Sequence, residues 1–188
     1  EALKKVQEEV NKDGYCLVVY DAYRPNRAVK HFKEWSLNTK DQSKKAQYYP
    51  YIDKARVFEL DYVAEPRTAG KGGSGHSRGS TIDLTLIKNG QKVHQIQEKT
   101  RTLLDGSIIL YLDDGTVNMG SSFDYFGEAS HHENNVIEAS YKTMRTYLKN
   151  VMIKHGFQPY AEEWWHYTLK NEPYPAGKDT SYFNFPVE

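Results

Sequence analysis

Cysteine is almost absent. Cys16, in the apolar run YCLVVY, is the only one, so no disulfide staples the chain and no cysteine-based zinc site can form; the residue reads as a buried thiol. No run approaches the roughly 18 apolar residues of a membrane span, and signal-like segments, internal repeats, long linkers and low-complexity tracts are missing as well. Net charge is missing too: 25 Lys and Arg against 25 Asp and Glu leave no electrostatic footprint for nucleic acid or an anionic membrane. A small neutral or zwitterionic ligand suits this balance better. The 188 residues are enough for one ordinary domain with a core of its own. The chain opens at Glu1, not Met, in sequence that already looks helical, so the expectation is that the true N-terminus and any targeting signal lie upstream.

What is present alternates between helical and strand patterns. Ala2, Leu3, Val6 and Val10 have helical spacing, and Asp13-Gly14 ends that run before the β-rich YCLVVYDAY. Ala28, Val29, Phe32 and Trp35 share one face of a second helix with Pro25 near its start. Residues 38–53 read as a polar, Tyr-rich surface loop and 70–75, GKGGSG, as another. Residues 80–94 read as a β-hairpin around Asn89-Gly90, and SIILYLDDGTV as a second one turning at Asp114-Gly115. From Asn135 to His155, Ile137, Tyr141, Met144, Leu148 and Met152 mark a long helix closed by Gly156, and FQPYAEEWWHYTL returns to strand-forming residues. The pattern predicts an α+β domain.

One strand carries an anomaly. In SGHSRGSTIDLTL, residues 74–86, Asp83 interrupts an otherwise apolar and Thr-rich strand seven residues after His76 in the preceding turn. Far downstream, Glu163 precedes His166 by three residues. Two imidazoles and one carboxylate, with a fourth position left for water, have the composition of a catalytic zinc site, and a spare carboxylate can relay the proton. Each pair alone is a weak pattern, and Asp83 capping a turn or pairing with Arg78 is the plain alternative. The remaining histidines separate: His31, His94 and His155 read as structural, whereas the adjacent His131 and His132 sit in a loop from which a metal is within reach, although consecutive residues seldom chelate one ion well.

Taken together, DAYRP (21–25), SGHSRGSTIDLTL (74–86), MGSSFDYFGEASHH (119–132), EWWHY (163–167), NEPYP and YFNFPV resemble the D-alanyl-D-alanine dipeptidases. These are zinc peptidases of a wider family that includes D,D-carboxypeptidases and shares a fold with the hedgehog signalling domain. The resemblance runs from about residue 15 to the C-terminus. It implies a hedgehog/D,D-peptidase-like α+β fold, a central antiparallel sheet flanked by helices, as one zinc dipeptidase domain over residues 1–188. It also implies that the N-terminal segment usual in the family is missing here.

By position, the resemblance implies one Zn2+ held by His76, Asp83 and His166, with Glu163 as general base and acid and Arg24 stabilising the oxyanion. The substrate would be the dipeptide D-alanyl-D-alanine, cut to two D-alanines in the cytoplasm. Asp124 is the candidate partner for its ammonium and Ser74, with nearby backbone N–H groups, for its carboxylate; a turn residue and a loop hydroxyl are the plain readings of that pair. Trp164 and Trp165 read as core and pocket wall. Two departures stand out: residues 87–117 are longer than usual, and Gly75 occupies a place where Ser often precedes the ligand His. A D,D-carboxypeptidase with a pocket open to longer peptides and a non-catalytic zinc-stabilised binding module remain the alternatives. No nucleic-acid or membrane partner is expected, and the oligomeric state is left open.

Overall fold

A computed structural model describes residues 1–187. Its centre is a four-stranded antiparallel sheet in the order β1-β2-β6-β5, built from β1 (Tyr15–Asp21), β2 (Thr81–Lys88), β5 (Phe157–Tyr160) and β6 (Glu163–Leu169). Helix α1 (Ala2–Lys12) precedes β1, α2 (Asn26–Leu37) and a short α3 (Lys45–Tyr48) follow it, and α4 (Ala139–Lys154) leads into β5. The α+β arrangement expected from the sequence is the one observed.

The main core forms where α1 and α4 cover one sheet face. Val6 and Val10 of α1 and Leu148, Val151 and Met152 of α4 are buried against Leu84 and Leu86 of β2 and the Trp164-Trp165-Tyr167 stretch of β6. These are the positions that helical spacing selects, and each fully buried Leu or Val side chain contributes about 1.5–3 kcal/mol. Pro25, with extended backbone, stands at the N-cap of α2; its ring offers no side-chain acceptor, and its missing N–H lies before the helix, where no intrahelical bond is lost.

Several expectations need correction. Residues 38–53 are not merely surface: Tyr49 is fully buried and joins Val57 and Val63 in a core of its own, with Trp35 edge-on to Tyr49. Asn89-Gly90 does make a turn, but the chain beyond it does not pair back on β2, whose neighbours are β1 and β6. The second hairpin turns earlier than read. Its arms are β3 (Gln97–Thr102) and β4 (Ile108–Asp113), joined through Asp105-Gly106, whereas Asp114-Gly115 only ends β4. Helix α4 starts at Ala139, four residues late, because Val136 and Ile137 are buried with Leu103 and Ile109 of the hairpin instead. Cys16 is half-buried, not buried, with its thiol 3.1 Å from Asn89 Oδ1. No helix among the described residues is long and apolar enough to cross a membrane.

Candidate active site

The anomalous Asp83 sits where three strands bring polar groups into one row. It pairs directly with His166 across β2 and β6, and with Asp21 across β2 and β1 after a bulge that follows Val19. Cross-strand partners share a face, so Asp83 and His166 meet on the face opposite Leu84. His76 arrives from a 3₁₀ turn, His76–Arg78, just before β2. The turn is stitched to the DAYRP segment: Arg24 N–H donates to His76 O at 3.3 Å, and the Ser77 hydroxyl donates to Arg24 O at 2.8 Å. Two segments about fifty residues apart are thereby fixed to one another.

One ligand atom each from His76, Asp83 and His166 lies within 4.8 Å of the others. His76 Nε2 is 3.3 Å from Asp83 Oδ2, and His166 Nδ1 is 3.0 Å from Asp83 Oδ1. The residues fit a metal ion on three counts. Asp83 is 2 % exposed, and its Oδ1, although 3.0 Å from His166 Nδ1, is left without a well-formed hydrogen bond among the described residues, which is costly unless something else fills the position. His76 Nδ1 lies 2.8 Å from Ala22 O; a carbonyl only accepts, so the proton is on Nδ1 and Nε2 offers its lone pair to the cluster. The donor set of two nitrogens and one carboxylate is one that zinc accepts. Burial pushes the Asp83 carboxyl upward, but His166 and then His76 outweigh it and hold the group well below the usual carboxylate range.

Glu163 Oε2 is 3.4 Å from His166 Nδ1. In a regular strand residues three apart face opposite ways. Here β5 steps from Tyr167 to Glu163 between Pro159 and Tyr160, and this irregular register lets both side chains reach one site. Burial, and next the charges of Asp83 and Asp124, raise the Glu163 carboxyl well above its ordinary value, with Arg24 opposing. Arg24 is held by Asp21, whose Oδ2 accepts from Nε at 2.8 Å and Nη2 at 2.6 Å; Nη2 is also 4.0 Å from Asp83 Oδ2. The guanidinium lies 4.9 Å from the Phe32 ring centre.

All seven residues singled out from the sequence, namely Arg24, Ser74, His76, Asp83, Asp124, Glu163 and His166, line a cavity of about 450 Å³. Its apolar side comes from α2, α3 and the loops, through Phe32, Trp35, Tyr48, Tyr62 and Phe126. Asp124 has left-handed backbone, φ 58°, and burial, then the charge of Asp83, pushes its carboxyl up to about 7, with Arg24 opposing. Ser74 Oγ accepts from the His76 N–H at 3.2 Å.

The structure also places the remaining candidates. His131 and His132 are not part of the cluster: His131 Nε2 is 3.3 Å from the Tyr62 hydroxyl, and His132 is buried, its ring lowered to about 4 mainly by burial. Arg78 pairs with Glu172, at 2.7 and 3.0 Å, not with Asp83. Trp164 and Trp165 are core and do not line the cavity. His31, read as structural, does line it, on the same helix as Phe32. Asp21 has no assigned role in the sequence reading, although its place three residues before Arg24 at a strand end is a usable signal.

A protein with two histidines and a carboxylate placed to hold a metal ion is thus what fold and site define, and comparison with known proteins shows the family. Residues 1–96 and 100–188 match the peptidase M15 family, D-ala-D-ala dipeptidase, and the chain belongs to it. It is 39% identical over 189 residues to a D-alanyl-D-alanine dipeptidase of Enterococcus faecium, covering 100% of this chain and 77% of that protein. Like-named proteins of Enterococcus faecalis and Streptomyces coelicolor are 40% and 38% identical, each covering 99% of this chain and 76% of theirs.

Proposed function

We propose that this chain, as one catalytic domain over residues 1–188, hydrolyses D-alanyl-D-alanine to two D-alanines with a single Zn2+ held by His76, Asp83 and His166. The observation that carries the reading is the buried His-Asp-His cluster with Glu163 beside it, at the floor of a cavity that also presents Arg24. Family membership supports the substrate.

When bound, zinc lowers the pKa of a coordinated water toward neutrality and polarises the scissile carbonyl. Glu163 takes a proton from the attacking water and hands it to the departing amine, so that one C–O bond forms, the peptide C–N bond breaks, and no proton is lost. A carboxyl raised by burial suits both halves of that task. Arg24, aimed by Asp21, donates to the carbonyl oxygen as it gains negative charge, an interaction worth more in a dry site than in water. Asp124 meets the substrate ammonium; Ser74 and neighbouring N–H groups meet its carboxylate. A proton relay and an oxyanion donor argue against a purely structural zinc module. A free dipeptide as substrate, not finished cell wall, goes with action in the cytoplasm.

The cavity of about 450 Å³ exceeds what two alanines fill, which keeps the D,D-carboxypeptidase reading in the test. Free D-alanine released by zinc-loaded protein is measured from the dipeptide and from a muramyl pentapeptide. Cleavage of the dipeptide alone is expected; efficient cleavage of the pentapeptide would move the assignment to the carboxypeptidases.

A further inference from the structure

Helix α4 hides a charge that the chemistry so far leaves unused. Arg145 is 1 % exposed, in a row of core residues, and has no carboxylate partner among the described residues. Its guanidinium instead gathers acceptors from both ends of one loop. Nε donates to Met119 O at 2.6 Å, and Nη2 to Ser121 Oγ at 3.2 Å on the outgoing limb. Nη2 also donates to Ala129 O at 2.7 Å, and Nη1 to His131 O at 2.8 Å, on the returning limb. Asp124 lies near the middle of the segment so closed, with its unfavourable φ of 58°. Ser121 Oγ further accepts from Trp164 Nε1 at 3.0 Å, which ties the loop base to the strand residue next to Glu163. Burying a cation without an anion is expensive, and burial above all, with Tyr167 opposing and the charge of Arg101 adding, lowers this guanidinium to about 9. Four acceptors aimed at it are the compensation, and a planar fork reaches all of them where an ammonium does not.

We propose that Arg145 is a positioning residue that clamps loop 119–131 and thereby holds Asp124 where it reads the free ammonium of the substrate. This rests on the reading of Asp124 given above. The metal ligands belong to the sheet and to the turn before β2, outside the clamped segment, so the clamp governs substrate recognition and not metal binding.

The test compares parent, Arg145→Lys, Ser121→Ala and Asp124→Asn. Each is loaded with zinc and assayed on D-alanyl-D-alanine and on its N-acetyl derivative, and amide exchange is followed over residues 119–131. Arg145→Lys should keep one zinc, raise KM for the free dipeptide at least about 10-fold with kcat within about 3-fold, flatten the preference for the free amine, and speed exchange across the loop. Ser121→Ala, which removes one leg of the clamp, should move all three in the same direction by less, and serves if Arg145→Lys does not fold. A merely structural loss lowers the active fraction, hence apparent kcat, and leaves KM alone. If Asp124→Asn abolishes the free-amine preference while the clamp variants retain it with unchanged exchange, the clamp is wrong and the role of Asp124 stands. If Asp124→Asn retains the preference, the ammonium reading and the clamp built on it both fall.

Discussion

At the scale of single residues, Gly75 shows how a site can be shaped by what is left out. A Cβ there would sit 2.1 Å from Thr81 Oγ1, which is itself fixed by a 2.8 Å bond to Thr168 Oγ1 across β2 and β6. Gly75→Ala should therefore destabilise the protein by about 1–3 kcal/mol through overpacking, and Thr81→Ala added to it should recover most of the loss; denaturant titration of the parent and the two variants checks this. Asp124 gives a pH effect. Its native carboxyl, near 7, stays protonated after the unfolded one has ionised. The native state thus binds more protons from the ordinary carboxylate range up to about 7, and stability falls as pH rises through that window. In metal-free protein, Asp124→Asn should melt above the parent at pH 8 with the gap closing toward pH 4; parallel melting curves would contradict the placement of the carboxyl. His76, Asp83, Glu163 and His166 were legible as candidates because a carboxylate in an apolar strand is conspicuous, although each pair alone is a weak pattern and the family resemblance supplied their roles. Arg145 was not, since an Arg on an amphipathic helix looks like a solvated face until the loop that it serves is in place.

Among the elements, helices and sheet strands followed from periodicity, and the β3–β4 hairpin did not. Asn89-Gly90, Asp105-Gly106 and Asp114-Gly115 offer the same turn chemistry, and Gly90, Gly106 and Gly115 all take positive φ. What selects Asp105-Gly106 is packing from outside the segment: Leu103 and Ile109 are buried with Tyr125, Ala129 and Ile137. Leu112 N–H also donates to Ser122 Oγ at 2.7 Å, and the Tyr51 hydroxyl bridges Ile108 N at 2.8 Å and O at 2.7 Å. No local signal carries that information. The long segment noted between 87 and 117 is therefore a brace behind the Asp124 loop. Ile109→Ala, which empties a site 1 % exposed, should cost about 2–5 kcal/mol, read by urea unfolding. A loss below 0.5 kcal/mol, on the order of a surface substitution, would mean the hairpin is not packed as described.

For the whole molecule, the sheet converts distant segments of sequence into one candidate metal site, and a bound metal should in turn hold the sheet together. β1, β2, β6 and the two stitched loops converge on Asp83, whose buried Oδ1 faces His166 Nδ1 at 3.0 Å. A ligand that binds only the folded state at 100 times its Kd adds about 2.7 kcal/mol. Chelation should lower Tm accordingly, zinc should restore it, and His166→Ala should show no zinc dependence; equal Tm with and without metal would deny the ion a place in the fold. The chain's membership of the M15 peptidases makes the catalytic use of that site the central claim, and Glu163 is its most exposed point. The direct measurement is D-alanine release from D-alanyl-D-alanine by protein carrying one zinc per chain, beside Glu163→Ala loaded to the same zinc content. The account predicts brisk release by the parent and a fall of about 10²–10⁴-fold or more in kcat for the variant with its zinc retained. Undiminished release by the variant, or none by the zinc-loaded parent, would contradict it.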